Sequence, residues 1–313
     1  MKALITGAAG FVGSHLADRL LEAGHQVVGI DCFLDYYPRA MKERNLTQAR
    51  ANARYSFVEA SLVNADLEAL LDGVDWVFHQ AAQAGVRASW GADFRIYSDN
   101  NVYATQRLLE ACRGRQLKRF VYASSSSVYG DTDDLPMRET GMTRPVSPYG
   151  VTKLASEHLT WLYWKNYGIP TVSLRYFTVY GPRQRPDMAF HRFIRSVLLD
   201  EEITLYGDGS QSRDFTFISD IIEANIAAAE RDVAGRIFNV GGGSRTTINE
   251  VIATIGELTG REPRVRRLEV QKGDVRHTAA DTSAARDALE FRPRVGVREG
   301  LQREVEWLRE LIG

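Results

Sequence analysis

The 313-residue chain is 44% hydrophobic and 25% charged, an ordinary balance for a globular protein, which removes disordered, collagen-like and fibrous readings. Its 39 basic and 40 acidic residues leave a net charge of −1 without a basic block or tail, so nucleic acid is not expected as a partner. Cys32 and Cys112 are too few for a disulfide framework, and no apolar window is long enough to span a membrane. Met1 to Gly7 runs straight into a strand-like segment with no room for a signal peptide, so a cytoplasmic location is expected.

In chain order, Lys2 to Thr6 reads as a strand, Phe11 to Ala23 as a helix and Gln26 to Asp31 as a second strand. Strands are also predicted at Tyr55 to Val58, Val74 to Gln80, Phe120 to Ser124 and Thr171 to Tyr176. Helical patterns lie between them, around Ala65 to Leu71, Tyr97 to Cys112 and Val151 to Asn166. Such alternation predicts an α/β fold with a doubly wound parallel sheet of the Rossmann type. Continuous apolar runs such as Trp76-Val77-Phe78 and Phe120-Val121-Tyr122 suit strands buried on both faces. Past Phe177 the chain turns to Pro/Gly-punctuated loops, with helices around Met188 to Leu199, Ile248 to Leu258 and Arg298 to Ile312. Residues 1–177 are expected to form the dinucleotide-binding domain and 178–313 a smaller mixed α/β substrate-binding domain. The helix-then-strand pattern of Phe215 to Val240 predicts a return to the first of these.

Gly7-Ala8-Ala9-Gly10-Phe11-Val12-Gly13 places three glycines between the first strand and the first helix. The chemistry of a bound pyrophosphate asks for that spacing. One glycine makes the tight turn, the next admits the phosphates to the backbone, and the third lets helix pack on strand. The helix amino terminus then offers free N–H groups and its positive dipole end. Asp31 closes the second strand, where a carboxylate accepts from a ribose 2′-OH and repels a 2′-phosphate. NAD is the expected cofactor.

Tyr149 and Lys153 are four residues apart and share one helix face, and Ser124 to Ser127 follow the strand ending at Ala123. A strand-end hydroxyl can share a substrate proton with the tyrosine. The phenol, ordinarily near pKa 10, becomes a useful base only if nearby cations favour the phenolate. Lys153 and an oxidised nicotinamide ring are candidates for those cations. Tyr149, Lys153 and Ser125 are therefore the candidate catalytic residues. Six histidines, His79 and His191 among them, show no metal-ligand spacing, so no metal is expected.

Taken together these motifs resemble the extended short-chain dehydrogenase/reductase superfamily, specifically its nucleotide-sugar epimerases and dehydratases. Besides the glycine turn and Tyr149-x-x-x-Lys153, the likeness runs through His79 to Arg87, Asn101-Val102 with Thr105, Ser124 to Gly130, Arg213-Asp214-Phe215 and Asn239-Val240-Gly241. The resemblance implies NAD contacts from Gly7, Gly10, Phe11, Val12, Gly13, Asp31, Leu62, Gln80, Ala81, Ala82, Asn101 and Tyr176, besides Tyr149 and Lys153. It implies contacts to a UDP-sugar from Gln83, Val86, Arg87, Ser125, Ser126, Ser127, Thr178, Arg185, Thr204, Tyr206, Gln211, Arg213 and Asp274. Two positions depart from the pattern. Ser61 stands where many relatives carry an aspartate, and Gln271 where many carry an arginine for the diphosphate, with Lys272 or Arg276 as candidate substitutes. Relatives of this kind pair the helices near Tyr97 to Cys112 and Val151 to Asn166 into a four-helix bundle, which implies a homodimer.

All enzymes of this type begin by oxidising C4 of the sugar. Dehydratases carry an Asp-Glu pair just before Val-Tyr-Gly, and decarboxylases a glutamate there; this chain has Ser126 and Ser127. Without those carboxylates, simple return of the hydride to the opposite face fits best, and that is C4 epimerisation. Thr178 and the run Arg185-Pro186-Asp187-Met188-Ala189-Phe190 resemble UDP-glucuronate 4-epimerases, whereas UDP-glucose epimerases usually place an asparagine at Thr178. A C5 carboxylate beside a C4 ketone is a β-keto acid and readily loses CO2. Thr178 and Arg185 gripping that carboxylate would hold its C–C bond out of line with the carbonyl π system. UDP-glucose, UDP-N-acetylhexosamine and decarboxylated UDP-glucuronate remain the alternative outcomes.

Overall fold

The structure is a computed structural model that describes residues 1–269, 273 and 275–313. Gln271, Lys272 and Asp274, which carry the diphosphate and substrate expectations of that stretch, lie outside the described residues.

Among the described residues, twelve strands and their helices build three sheets. The strands are β1 (Lys2–Thr6), β2 (Gln26–Asp31), β3 (Tyr55–Glu59), β4 (Trp76–His79), β5 (Arg119–Ser125), β6 (Thr171–Tyr176), β7 (Thr178–Tyr180), β8 (Ile203–Tyr206), β9 (Ser212–Phe217), β10 (Ile237–Val240), β11 (Arg245–Thr247) and β12 (Val265–Leu268). Seven of them form one sheet in the order β10-β6-β5-β4-β1-β2-β3. Every neighbouring pair in it is parallel. The strand order reverses direction between β1 and β4, which opens a crevice at the carboxyl ends of the strands.

Burial explains why these segments are strands. Every residue of β4 is buried, as is β5 up to its last residue, Ser125. One core packs the Phe11–Glu22 and Ile218–Glu230 helices on one side of the sheet, through residues such as Leu16, Leu20, Ile221 and Ile222. A second core on the other side joins Leu4, Val77, Phe120 and Tyr122 to Leu108 and Leu109 of the Ala104–Ala111 helix.

The Pro148–Tyr167 helix has sharp ends. Ser147 accepts from the Gly150 N–H at 3.1 Å, Pro148 opens the first turn, and Gly168 ends the helix in the left-handed conformation at φ 71°.

The expected single helix from Tyr97 to Cys112 is instead three pieces, an α turn at Phe94–Tyr97, a π-helical segment at Ser98–Tyr103 and an α-helix at Ala104–Ala111. The widened segment satisfies Asn101. Its side chain accepts from the Gln83 N–H at 2.7 Å and donates to the Gln83 carbonyl at 3.1 Å and to Thr152 Oγ1 at 2.9 Å. Its carbonyl receives the hydroxyls of Thr105 and Ser156. π segments of this sort trade one helical bond for side-chain ones.

The second half is richer in strands than its sequence suggests. β9 pairs in parallel with β7 and antiparallel with β11, and β12 pairs with β8. These strands are short and mix polar with apolar residues, as in Ser-Arg-Asp-Phe-Thr-Phe for β9. Their hydrophobic pattern is too brief to read alone. Among the described residues no helix is long and apolar enough to cross a membrane.

Candidate active site

A cleft of about 760 Å³ opens at the carboxyl ends of the large sheet. All the expected site residues among the described ones line it except Asn101. Asn101 is buried behind the wall and holds the Gln83 backbone in place; its neighbour Asn100 faces the cleft instead. The expectation that Asn101 touches the cofactor is corrected accordingly. Its amide is already committed to Gln83 and Thr152.

At one end of the cleft lie Gly7, Gly10, Phe11, Val12 and Gly13, with Asp31 and Leu62 beside them. Gly7 sits at φ 70°, and a Cβ there would stand 2.8 Å from the Ala81 nitrogen. At Gly13 a Cβ would be driven into the Gly7 carbonyl. Only glycine lets strand, turn and helix approach so closely. The Phe11–Glu22 helix has no side-chain cap at Gly10 and no acid in its first turn, so its terminal N–H groups suit an anion. Asp31 is locked by two backbone donors, Ala9 N–H at 3.1 Å and Phe33 N–H at 2.8 Å. Burial raises the Asp31 carboxyl, and these donors together with the nearby Lys42 charge act the other way. A pyrophosphate at the helix end and a ribose diol at Asp31 therefore fit the residues present. Lys42, which belongs to no motif of the sequence, also lines this end and donates to the Leu34 carbonyl at 2.6 Å. Gln80 and Tyr176 are tied together at 3.1 Å and both meet Asn225.

The middle of the cleft holds the candidate catalytic residues. Ser125 ends β5, accepts from the Ser127 N–H at 3.1 Å and lies near enough to the Tyr149 phenol to favour its ionised form. Burial raises the Tyr149 pKa, while the charge of Arg185 and the Ser125 hydrogen bond pull it down. Arg185, from the loop after β7, is thus a second cation acting on the candidate base, whereas helical spacing offers only Lys153. Lys153 is buried with its Nζ 4.6 Å from the Tyr122 ring centre, and burial lowers its pKa to about 7. Glu157, one turn on, favours its charged form. The Glu157 carboxylate is itself held by Ser124 at 2.6 Å and by the Arg175 fork at 2.6 and 3.0 Å. An ion pair so buried keeps its place because hydrogen bonds satisfy its polar atoms.

Beyond Tyr149 the cleft is lined by Gln83, Val86, Arg87, Ser126, Ser127, Thr178 and Arg185, and at its far end by Thr204, Tyr206, Gln211 and Arg213. The Arg87 guanidinium stacks 4.4 Å from the Tyr206 ring centre. Gln211 donates to the Tyr206 carbonyl at 2.9 Å, and Arg213 Nη2 to the Val275 carbonyl at 2.6 Å. Arg185 forms a two-pronged pair with Asp187, each contact 2.9 Å. Asp187, part of the Arg185-to-Phe190 run, and Tyr36, which belongs to no motif of the sequence, line the cleft as well. His79, outside the cleft, bridges the hydroxyls of Thr6 at 2.7 Å and Thr105 at 2.8 Å; burial lowers its pKa to about 3, leaving the ring neutral.

Residues 3–241 match the family model described as NAD dependent epimerase/dehydratase family. The uncharacterized UDP-glucose epimerase YtcB of Bacillus subtilis is 45% identical over 99% of this chain and 99% of its own length. A UDP-glucuronate 4-epimerase of Thermodesulfobacterium geofontis is 36% identical over 99% of this chain and 96% of its own. Among solved structures, UDP-glucuronic acid 4-epimerase from Bacillus cereus, in complex with UDP-glucuronic acid and NAD, superposes with a TM-score of 0.97 at 44% identity. That match covers 99% of this chain and 100% of the other.

Proposed function

The chain belongs to the NAD-dependent epimerase/dehydratase family, and from that premise we propose that it interconverts UDP-glucuronic acid and UDP-galacturonic acid at C4. The observation that carries the substrate is Arg185. Its charge acts on the Tyr149 phenol within a cleft that Thr178 of β7 also lines, with serines and no carboxylate at positions 126 and 127.

Gly7, Gly10, Gly13 and Asp31 would hold NAD, which when bound supplies the hydride acceptor for C4 and later returns the same hydride. Tyr149 takes the C4 hydroxyl proton as that bond is oxidised and gives it back when the ketone is reduced. Ser125 bridges the sugar hydroxyl and the phenol, and stabilises the phenolate by donating to it. Lys153, whose charged form Glu157 favours against the effect of burial, adds positive charge to the same wall when protonated. The far end of the cleft, with Tyr206, Gln211 and Arg213, anchors the UDP while the keto sugar turns over between hydride transfers. We assign residues 1–177 to cofactor binding and 178–313 chiefly to the nucleotide sugar, with β10 adding to the large sheet.

Arg185→Ala tests the substrate assignment. With UDP-glucuronic acid, kcat/KM is expected to fall by roughly tenfold to a hundredfold, the value of a charged hydrogen-bonded pair, and a UDP-pentose by-product is expected to rise. The pH profile carries the second readout. Arg185 lowers the Tyr149 pKa, so its removal raises that pKa, and the acid limb of the rate profile moves to higher pH. Unchanged turnover without added by-product sinks the assignment. The YtcB relationship keeps UDP-glucose in view. Mass spectrometry of products from UDP-glucose, UDP-N-acetylglucosamine and UDP-glucuronate separates the readings: equal mass marks epimerisation, and loss of CO2 marks decarboxylation.

The protein is further proposed to act in the cytoplasm as a homodimer through a four-helix bundle. Val151, Trp161 and Leu162 of the Pro148–Tyr167 helix are exposed, as is Tyr103 beside it. A patch of large apolar side chains on adjacent helices suits a twofold interface. Leu162→Glu is expected to convert a dimer in sedimentation velocity into a monomer with unchanged far-UV circular dichroism; a parent protein that sediments as a monomer refutes the interface.

A further inference from the structure

We propose that Asp187 and Tyr36 are positioning residues that hold Arg185 edge-on to the sugar and so decide whether the oxidised substrate keeps its carboxylate, an inference that rests on the reading of Arg185 above. Asp187 takes one edge of the guanidinium, with Nε on Oδ1 and Nη2 on Oδ2, both at 2.9 Å. Two parallel bonds fix the plane of the fork. They engage only the Nε side, so the opposite edge, Nη1 and the second Nη2 proton, is turned away from Asp187. That edge matches a second carboxylate, one brought by the substrate.

Asp187 does not rely on the arginine alone. The Tyr36 hydroxyl donates to Asp187 Oδ2 at 3.2 Å, and its ring centre lies 5.8 Å from the guanidinium carbon. That hydroxyl stands against Gly85, a left-handed residue at φ 104°, where a Cβ would collide with it. The Gly85 carbonyl in turn receives the Tyr97 hydroxyl at 2.8 Å. Tyr97 is itself an edge-on neighbour of Tyr149, with ring centres 6.4 Å apart. The base and the arginine are thus referenced to one wall of the cleft, through Tyr97 and Gly85 on one side and Tyr36 and Asp187 on the other.

The consequence concerns the 4-keto sugar. Breaking its C5–C6 bond releases CO2 and sends the electron pair into the C4 carbonyl as an enolate. C5 then takes a proton from water, and return of the hydride first removed from C4 leaves a UDP-pentose. The bond breaks readily only when it lies parallel to the carbonyl π orbitals. A fork of fixed plane holds the carboxylate in one rotamer, whereas a loose fork lets it turn into alignment.

The test uses the NAD-loaded protein and UDP-glucuronic acid, with epimer and UDP-pentose both quantified by mass spectrometry. Asp187→Asn is expected to lower kcat/KM by about tenfold and to raise the pentose share severalfold. Tyr36→Phe, which keeps the ring and removes one hydrogen bond, is expected to move both in the same direction by less. Asp187→Glu should restore the product ratio toward that of the parent. A lower KM and faster turnover in Asp187→Asn would mean that Asp187 competes for the arginine, and would overturn the proposal. So would slower turnover in both variants at an unchanged product ratio, the mark of a purely structural pair. Arg185→Ala is run alongside: if it alone leaves the ratio and kcat/KM untouched, the carboxylate reading fails; if it shifts them while Asp187→Asn and Tyr36→Phe do not, only the positioning role fails.

Discussion

Tyr149→Phe will cut kcat for UDP-glucuronic acid by about three orders of magnitude, with KM within a few-fold of the parent value. The half-buried phenol lines the cleft, and Ser125 beside it has a hydroxyl far too weakly acidic to stand in as a base. Burial by itself makes the phenol a poorer acid, so the work of lowering its pKa falls to the Arg185 charge, to Ser125 and to the cationic nicotinamide ring when NAD is bound. Phenylalanine keeps the ring volume and the edge-on contact with Tyr97, so the pocket should close around the substrate as before. Single-turnover measurement of cofactor reduction isolates the step: the transient NADH absorbance is expected to disappear while substrate binding, followed by calorimetry, persists. Ser125→Ala should be milder, about tenfold to a hundredfold, because the tyrosine can still reach a sugar hydroxyl unaided. A Tyr149→Phe enzyme that epimerises at the parent rate removes the whole acid–base scheme.

How much of the molecule is legible in the sequence follows from how local each signal is. The glycine turn and the Tyr149/Lys153 pair are short motifs whose spacing is set by one turn or one helix, so residue type and number suffice to place them. The strands of the large sheet are apolar-rich segments, and β1, β2 and β6 have the bounds read from the sequence. Asn101 shows the opposite case. Its motif position is apparent, but a π segment turns it from the cleft toward the Gln83 backbone, and that geometry depends on Thr152 and Ser156, about fifty residues away in the chain. The pairing of Asp187 with Tyr36 escapes notice for a similar reason, since it spans 151 positions and joins two loops, although Asp187 itself lies in the Arg185-to-Phe190 run. The same holds for the Arg185 charge at Tyr149, which no helical spacing records. Long-range polar contacts carry no periodicity, and the tertiary fold alone brings them together.

At the amino-terminal turn, by contrast, sequence and geometry coincide, and Gly13→Val should there abolish stable cofactor retention and cost the fold several degrees in melting temperature. A Cβ at this position would meet the Gly7 carbonyl head-on, 2.9 Å from its carbon and 3.1 Å from the Ala8 Cα, all of them backbone atoms that cannot rotate aside. Relief requires the helix to slide from β1, yet Leu16, Ala17 and Leu20 on its buried face are fully packed in the core. Overpacking of this kind costs about 1–3 kcal/mol, and for a chain of this length that is roughly 2–6 °C. The functional loss should be larger than the loss of stability, because the same shift withdraws the uncapped helix N–H groups and the Gly10 backbone from the pyrophosphate position. Purified Gly13→Val protein is therefore expected to carry less than about a tenth of the parent's NAD content, a drop of about 1.4 kcal/mol or more in affinity. Gly24→Ala serves as the comparison: that glycine has a left-handed φ of 85°, but a Cβ added to it would meet nothing within 4 Å, so the variant should lose stability through backbone strain while keeping its cofactor. Equal NAD retention in the Gly13→Val and parent proteins would show that the turn is not the phosphate site, and the assignment of the cleft's amino-terminal end to the dinucleotide would have to be given up.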